Sequence, residues 1–329
     1  MVVVTGFLGS GKTTLLNRAL KDPALGDCAV LVNEFGEVGL DHHLLEVIDG
    51  NTVLLASGCV CCTIRDDLKS AVLELQDKRA RGAVPPFSRL VIETTGLADP
   101  TPIIATFMSD VSLRYHYRPT LVVTTVDAAQ GLATLERHPE SVKQAALADR
   151  LVLTKTDLAT VGDVAALRER LAEINQSAQV MTALEGELDV AALLRGDVYT
   201  PGHRDAEVAR WFRAEQAHPH APDRNRHAGG IRAFSVVVDE ALDWTAFGVW
   251  LTMLLHCHGD KVLRVKGMLN VTGVATPVVI NGVQHLIHPP VHLSHWPDAE
   301  RRSRIVFIVQ DLDPQAVKDS LSAFNALAS

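Results

Sequence analysis

An excess of positive charge is missing from this 329-residue sequence, which sets 31 Lys+Arg against 39 Asp+Glu for a net charge of −8. General nucleic-acid binding, which relies on a basic face, is therefore not expected. Long apolar runs are missing too: although 47% of residues are hydrophobic, none of the runs approaches the roughly 18 residues of a membrane span. Met1 to Leu16 is apolar but interrupted by Gly6, Gly9, Gly11 and Lys12. It has neither the basic start nor the small-residue cleavage site of a secretory signal, so a cytoplasmic location with no membrane partner is expected. Cysteine is scarce: Cys28, Cys59, Cys61, Cys62 and Cys257. Their odd number, with three crowded into four positions, makes a poor disulfide framework and reads better as thiols or metal ligands. Internal repeats and long low-complexity segments are also missing.

What is present is an alternation. Apolar, β-branched runs at Val2–Thr5, Ala29–Asn33, Val53–Leu55, Leu90–Glu93, Leu121–Val126, Leu151–Thr154 and Val180–Thr182 predict strands, several continuously apolar as when both sheet faces are covered. Between them, Asp66–Lys78 presents Leu68, Val72 and Leu75 on one face, and Asp163–Asn175 presents Val164, Leu167, Leu171 and Ile174. Strands alternating with helices predict an α/β fold with a mainly parallel, doubly wound sheet. From about Gly196 the pattern fails in a stretch rich in Pro, His, Arg and Gly. The expected organisation is a nucleotide-binding domain over residues 1–200, a linker over 201–230 and a smaller α+β domain over 231–329. In the last, strands are expected at Ala233–Val238, Lys261–Lys266, Pro277–Ile287 and Ile305–Gln310, with helices at Trp244–His256 and Pro314–Leu327. Trp244, Phe247, Trp250 and Leu254 read as a core stripe on the first of these helices.

Gly6-Phe7-Leu8-Gly9-Ser10-Gly11-Lys12-Thr13 matches the phosphate-loop pattern GxxxxGK[ST] in full, between a strand and a helix over Thr13–Leu20. Gly6, Gly9, Ser10 and Gly11 would expose successive N–H groups to phosphate oxygens, and the helix start adds donors and positive potential. Lys12 is expected on the β- and γ-phosphates, Thr13 on Mg²⁺ and Thr14 on the α-phosphate.

Leu151–Thr154 leads into Thr154-Lys155-Thr156-Asp157, a Thr-Lys-x-Asp variant of the guanine-reading Asn-Lys-x-Asp. A carboxylate at Asp157 would accept from the N1–H and exocyclic amine of guanine, a donor pair adenine lacks. The Lys155 stem would lie along the base, and the Thr154 hydroxyl would take part of the asparagine's bracing role. Leu90–Glu93 followed by Thr94-Thr95-Gly96 has the form of a strand ending in a magnesium-site carboxylate. Glu93 is expected to hold Mg²⁺ through a water, and Gly96 to donate its N–H to the γ-phosphate. Asp99, Glu34 and Glu37 are all candidates for positioning the attacking water.

Ser57-Gly58-Cys59-Val60-Cys61-Cys62-Thr63 supplies three thiols suited to Zn²⁺, Co²⁺ or a similar ion. A tetrahedral site needs one further ligand, for which Glu37, His42, His43 and a water are candidates. Asn33-Glu34-Phe35-Gly36-Glu37 follows the second strand, where a nucleotide switch would rearrange.

In this order, GFLGSGKTT, NEFGE, GCVCC, IETTGLADP and TKTD, the chain resembles the CobW/YjiA group of P-loop GTPases, in the class of HypB and UreG. The similarity extends to Lys261–Met268 and Ile305–Asp313 in the second domain. It implies GTP and GDP as ligands, slow GTP hydrolysis, a transition metal on Cys59, Cys61 and Cys62 with Glu37 as a further ligand, and delivery of that metal to a client metalloprotein. Two rival readings stay open: a P-loop ATPase or small-molecule kinase with structural cysteines, and a nucleotide-dependent metal sensor with negligible turnover. Assembly as a homodimer is open as well. His256-Cys257-His258, and the group His285, His288, His292 and His295, are secondary candidates for metal binding.

Overall fold

The computed structural model describes residues 1–25, 27–33, 44–48, 52–57, 64–118, 121–183, 188–195, 208 and 230–328. The chain divides into two compact units, Met1–Arg168 with Val180–Gly196, and Glu169–Gln179 with Asp197–Ser329.

The first unit is built on eight strands: β1 (Val2–Gly6), β2 (Cys28–Asn33), β3 (Leu44–Ile48), β4 (Thr52–Ser57), β5 (Arg89–Glu93), β6 (Leu121–Asp127), β7 (Arg150–Thr154) and β8 (Gln179–Thr182). They lie in the order β3-β4-β2-β5-β1-β6-β7-β8. Every pair from β4 through β7 is parallel, and β3 is antiparallel to β4. The expected strands are all present. The added β3 edge had no counterpart in the sequence reading, because its run Leu44-Leu45-Glu46-Val47-Ile48 is set apart from β4 by only residues 49–51.

Helices α1 (Lys12–Leu20), α2 (Ile64–Ala80), α3 (Thr101–Ser109), α4 (Val111–His116), α5 (Gly131–Arg137), α6 (Pro139–Leu147), α7 (Val161–Ile174) and α8 (Val190–Arg195) accompany these strands, with the division between the units falling within α7 at Arg168. Helices α3 and α6 start on prolines, at Pro102 in the first turn and at Pro139. Proline suits a helix start because the N–H it lacks has no intrahelical partner there. Strands β1 and β7 are buried along their whole length, which explains why they read as unbroken apolar runs. Val2, Val4, Val30, Val123 and Val152 pack under Leu15, Leu16 and Ala19 of α1 and Leu193 of α8, with the Cys28 thiol inside the same core. Cys28 is thus a packing residue.

The second unit carries β9 (Ile231–Val238), α9 (Trp244–His258), β10 (Val262–Leu269), β11 (Val278–Val283), β12 (Leu286–Ile287), β13 (Val291–His292), β14 (Ser303–Gln310) and α10 (Pro314–Ala328). Its sheet runs β12-β11-β10-β14-β9, antiparallel throughout, with β13 also on β11. Asp243 caps α9 by accepting from the Ala246 N–H at 2.8 Å. Phe247, Trp250 and Leu254 are core, and the Trp250 indole donates to Ser320 Oγ at 2.9 Å. Trp244 departs from the expected stripe: it is 43% exposed, because it opens the helix at its solvent end. Helix α9 also continues through His258 rather than ending at His256, so His256, Cys257 and His258 point in divergent directions.

Candidate nucleotide site

The carboxyl ends of β5, β1, β6 and β7 are neighbours in the sheet, so Glu93, Gly6, Asp127 and Thr154 meet along one crest. Ligands of open α/β sheets bind at such a crest.

Gly6 leaves β1 at φ +141°, and a Cβ there would fall 2.4 Å from both the carbonyl and the hydroxyl oxygen of Thr125. Only glycine fits, and the tight exit turns the loop back over the sheet. The Ser10 N–H closes a turn on the Phe7 carbonyl at 3.1 Å, and Ser10 Oγ shares a 2.7 Å hydrogen bond with Thr125 Oγ1. Gly11 caps α1 in the left-handed region with no side-chain hydrogen bond, so the first-turn N–H groups keep their donor capacity for an anion.

Lys12 folds back over this loop, its ammonium donating to the carbonyls of Gly6 at 2.9 Å and Phe7 at 3.1 Å. A third N–H remains for a phosphate oxygen. Burial lowers the Lys12 pKa below the ordinary 10.5, and the Glu93 charge works in the opposite direction. An arriving phosphate, as an opposite charge beside the ammonium, would raise the pKa again.

Thr13 Oγ1 donates to Glu93 Oε1 at 2.7 Å, and Glu93 is only 4% exposed. The two residues expected at Mg²⁺ are thus neighbours, two hard oxygens side by side. Beyond β5, Thr94 Oγ1 donates to Thr5 Oγ1 at 2.8 Å. Gly96 lies against the phosphate loop itself: a Cβ on it would stand 2.6 Å from the Leu8 nitrogen and 2.7 Å from its Cα. Asp99, a candidate for positioning water, is otherwise engaged. Its carboxylate accepts from the Thr101 N–H at 2.9 Å and pairs with Lys143 at 2.7 Å.

On the opposite side of the crest, the Thr154 hydroxyl donates to the Ser10 carbonyl at 2.8 Å and lies 3.3 Å from the Val126 carbonyl. Its Cγ2 would sit 3.4 Å from a Cβ on Gly11. Lys155 holds the left-handed region at φ 53° and pairs with Asp127 at 2.7 Å. Asp127 in turn accepts from the N–H groups of Ala129 and Gln130 at 2.9 and 3.1 Å. Asp157 is exposed on the short 3₁₀ turn Thr156–Leu158, with its carboxylate open to the solvent side.

The sequence reading missed Asp127, Lys143, Gln144 and the hydroxyls of Thr5, Thr94 and Thr125. Their signal was polar residues set in apolar context, such as Thr124-Thr125 within a buried strand. Thr14 stands on α1 as expected. Glu34, Glu37, His42, His43, Cys59, Cys61 and Cys62 lie outside the described residues. Strand β4 nevertheless ends at Ser57, two positions before Cys59, with Asn33 paired to Ser57, Val32 to Ala56 and Val32 to Glu93. The last described residues before the switch and before the cysteines are thus partners, and Ala56 is two strand spacings, about 10 Å, from Glu93.

Among the described residues, no cluster of three or more His, Cys, Asp or Glu could hold a metal, so neither secondary histidine group forms a site there. His285 instead bonds the Leu255 carbonyl and Asp260, each at 2.8 Å. No helix among the described residues is long and apolar enough to cross a membrane.

Residues 1–182 match the family described as CobW/HypB/UreG, nucleotide-binding domain, and residues 231–325 match the cobalamin synthesis protein cobW C-terminal domain. The chain is 35% identical over 318 residues to the zinc chaperone YjiA of Escherichia coli (strain K12), across 97% of this chain and 96% of that one. To the zinc chaperone CobW of Pseudomonas aeruginosa it is 29% identical over 353 residues, across 98% and 90%. The crystal structure of the Zn(II)-bound YjiA GTPase from E. coli matches with a TM-score of 0.77 at 31% identity, covering 98% of each chain. With both its nucleotide-binding and its C-terminal domain matched, the chain belongs to the CobW/HypB/UreG family.

Proposed function

We propose that this protein is a GTPase that couples its nucleotide state to a transition metal on Cys59, Cys61 and Cys62, with Glu37 as a further ligand, and passes that metal to a client metalloprotein. The observation that carries the reading is the crest itself. One hydroxyl, Thr154, joins the base-reading strand end to Ser10 of the phosphate loop, and Glu93 sits two strands from the end of β4, just ahead of the cysteines.

Guanine would be read by Asp157, with Lys155 held in place by Asp127. Phosphates would take the loop N–H groups, the Lys12 ammonium and the Thr14 hydroxyl. Thr13 and Glu93 would hold Mg²⁺, which when bound neutralises phosphate charge. Residues 34–40 follow β2 directly and residues 58–63 follow its partner β4, so nucleotide contacts made by the first segment would bear on the second. Linkage then requires metal to change GTP affinity by the same factor as GTP changes metal affinity. Zinc is the metal in the names of the relatives. Cobalt suits the same thiolates and has the advantage of absorbing light.

The test is a Co²⁺ titration of the reduced, metal-free protein with Mg²⁺ and either GDP or a non-hydrolysable GTP analogue. Strong thiolate charge-transfer and tetrahedral d–d bands that depend on the nucleotide are expected, and Zn²⁺ should displace them. Absence of thiolate bands in every nucleotide state would detach the cysteines from metal. Preference for ATP over GTP would instead favour a P-loop ATPase.

A further inference from the structure

Helix α6 carries a side chain whose chemistry is out of place for packing alone. Gln144 is 1% exposed, and its amide nitrogen donates to the carbonyls of Gly96 at 3.1 Å and Ala98 at 3.0 Å. Two carbonyls can only accept, so the NH₂ end of the amide must face them. Its Oε1 is left buried with no hydrogen-bond partner among the described residues, a cost that leucine or methionine would avoid. The preceding residue, Lys143, pairs with Asp99. One turn of α6 therefore grips the loop after β5 at Gly96, Ala98 and Asp99. From the other side, Gly96 is pressed against the backbone of Leu8. The main chain of α6 is itself anchored at this point, because Thr124 Oγ1 donates to the Gln144 carbonyl at 2.9 Å.

We infer that Gln144 is a positioning residue for GTP hydrolysis: by holding the Gly96 and Ala98 carbonyls it fixes the Gly96 backbone beside the phosphate loop, so that the Gly96 N–H, on the preceding peptide unit, meets the γ-phosphate without reorganisation. This rests on the GTPase reading above. A diphosphate lacks the γ-phosphate that this N–H would meet, so the effect is expected only for the triphosphate and its transition state.

The experiment compares the full-length wild type with Q144M, which keeps length and volume without donors, and with Q144E. GDP affinity should stay within about twofold in Q144M, while affinity for a non-hydrolysable GTP analogue drops about tenfold. Its kcat should fall about 10- to 100-fold. In Q144E a carboxylate would face two carbonyls, whereas the neutral acid has one O–H to give. Its turnover should therefore recover as pH falls, a recovery Q144M cannot show. Hydrogen exchange in the nucleotide-free protein reads the clamp without GTP, and the Leu97 and Ala98 amides should exchange faster in both variants. Unchanged exchange, or equal weakening of GDP and analogue, overturns the proposal. A wild type without GTP turnover would instead sink the GTPase reading, with exchange still deciding on the clamp.

Discussion

Replacing Thr154 with valine removes one hydroxyl and almost no volume, and it strikes where the strand end proposed to read the base is joined to the proposed phosphate loop. The lost bond is the 2.8 Å donation to the Ser10 carbonyl, within a residue that is 7% exposed. A buried carbonyl stripped of its partner costs about 1–3 kcal/mol. Valine keeps a methyl near Gly11, so little packing loss adds to this. For a domain of this size the expected fall in melting temperature is about 3–8 °C. GDP affinity should fall in step, since the Ser10–Gly11 backbone that greets the phosphates loses its brace. Melting of the nucleotide-free protein and titration with a fluorescent GDP analogue measure the two effects separately. Asparagine at the same position carries an N–H donor of suitable reach, so T154N should recover most of both. A T154V protein with wild-type melting and GDP affinity would refute the bracing role of the hydroxyl.

Other substitutions probe the remaining parts of the site. G96A places a methyl that must move about 0.8 Å from the Leu8 nitrogen to reach ordinary contact; overpacking of about 1–3 kcal/mol and a kcat loss of about 100-fold are expected, and unaltered turnover would contradict the contact. D157N turns a double acceptor toward one donor and one acceptor; GTP affinity should drop at least about 100-fold while xanthosine triphosphate, with a carbonyl in place of the amine, gains. Competition binding between the two nucleotides tests this exchange. In the second unit, both ring nitrogens of His285 face acceptors, the Asp260 carboxylate and the Leu255 carbonyl, which only the protonated ring can satisfy together, and its pKa is raised, first by the bond to Asp260. The stabilisation is complete below the ordinary value of 6.5 and is lost as pH rises through the elevated folded-state value. Melting temperatures of wild type and H285Q should therefore converge between about pH 5.5 and pH 8, and a gap that stays constant would show that the charge on His285 is immaterial.

Local pattern was sufficient for much of this protein. GxxxxGKT between an apolar strand and a helix start implies a phosphate loop, because the glycine spacing and the lysine have little other joint use. Unbroken valine and leucine runs at β1 and β7 implied strands covered on both faces, as found. The places of Asp157, Glu93 and Thr13 at element ends were legible because each ends or begins an element whose period was clear. The sequence could not supply the order of strands, which depends on crossover connections and on which apolar faces find each other. That order alone places Glu93 beside Thr13, Asp127 beside Lys155, and the end of β4 next to the end of β2. Helices α3 and α6, and the antiparallel edge β3, also escaped the local pattern. Gln144 shows the reason most plainly: it stands next to Ala145 and Ala146 with nothing in its neighbours to announce a role. Its partners lie 46 and 48 residues away, brought to it only when α6 packs behind the loop that follows β5.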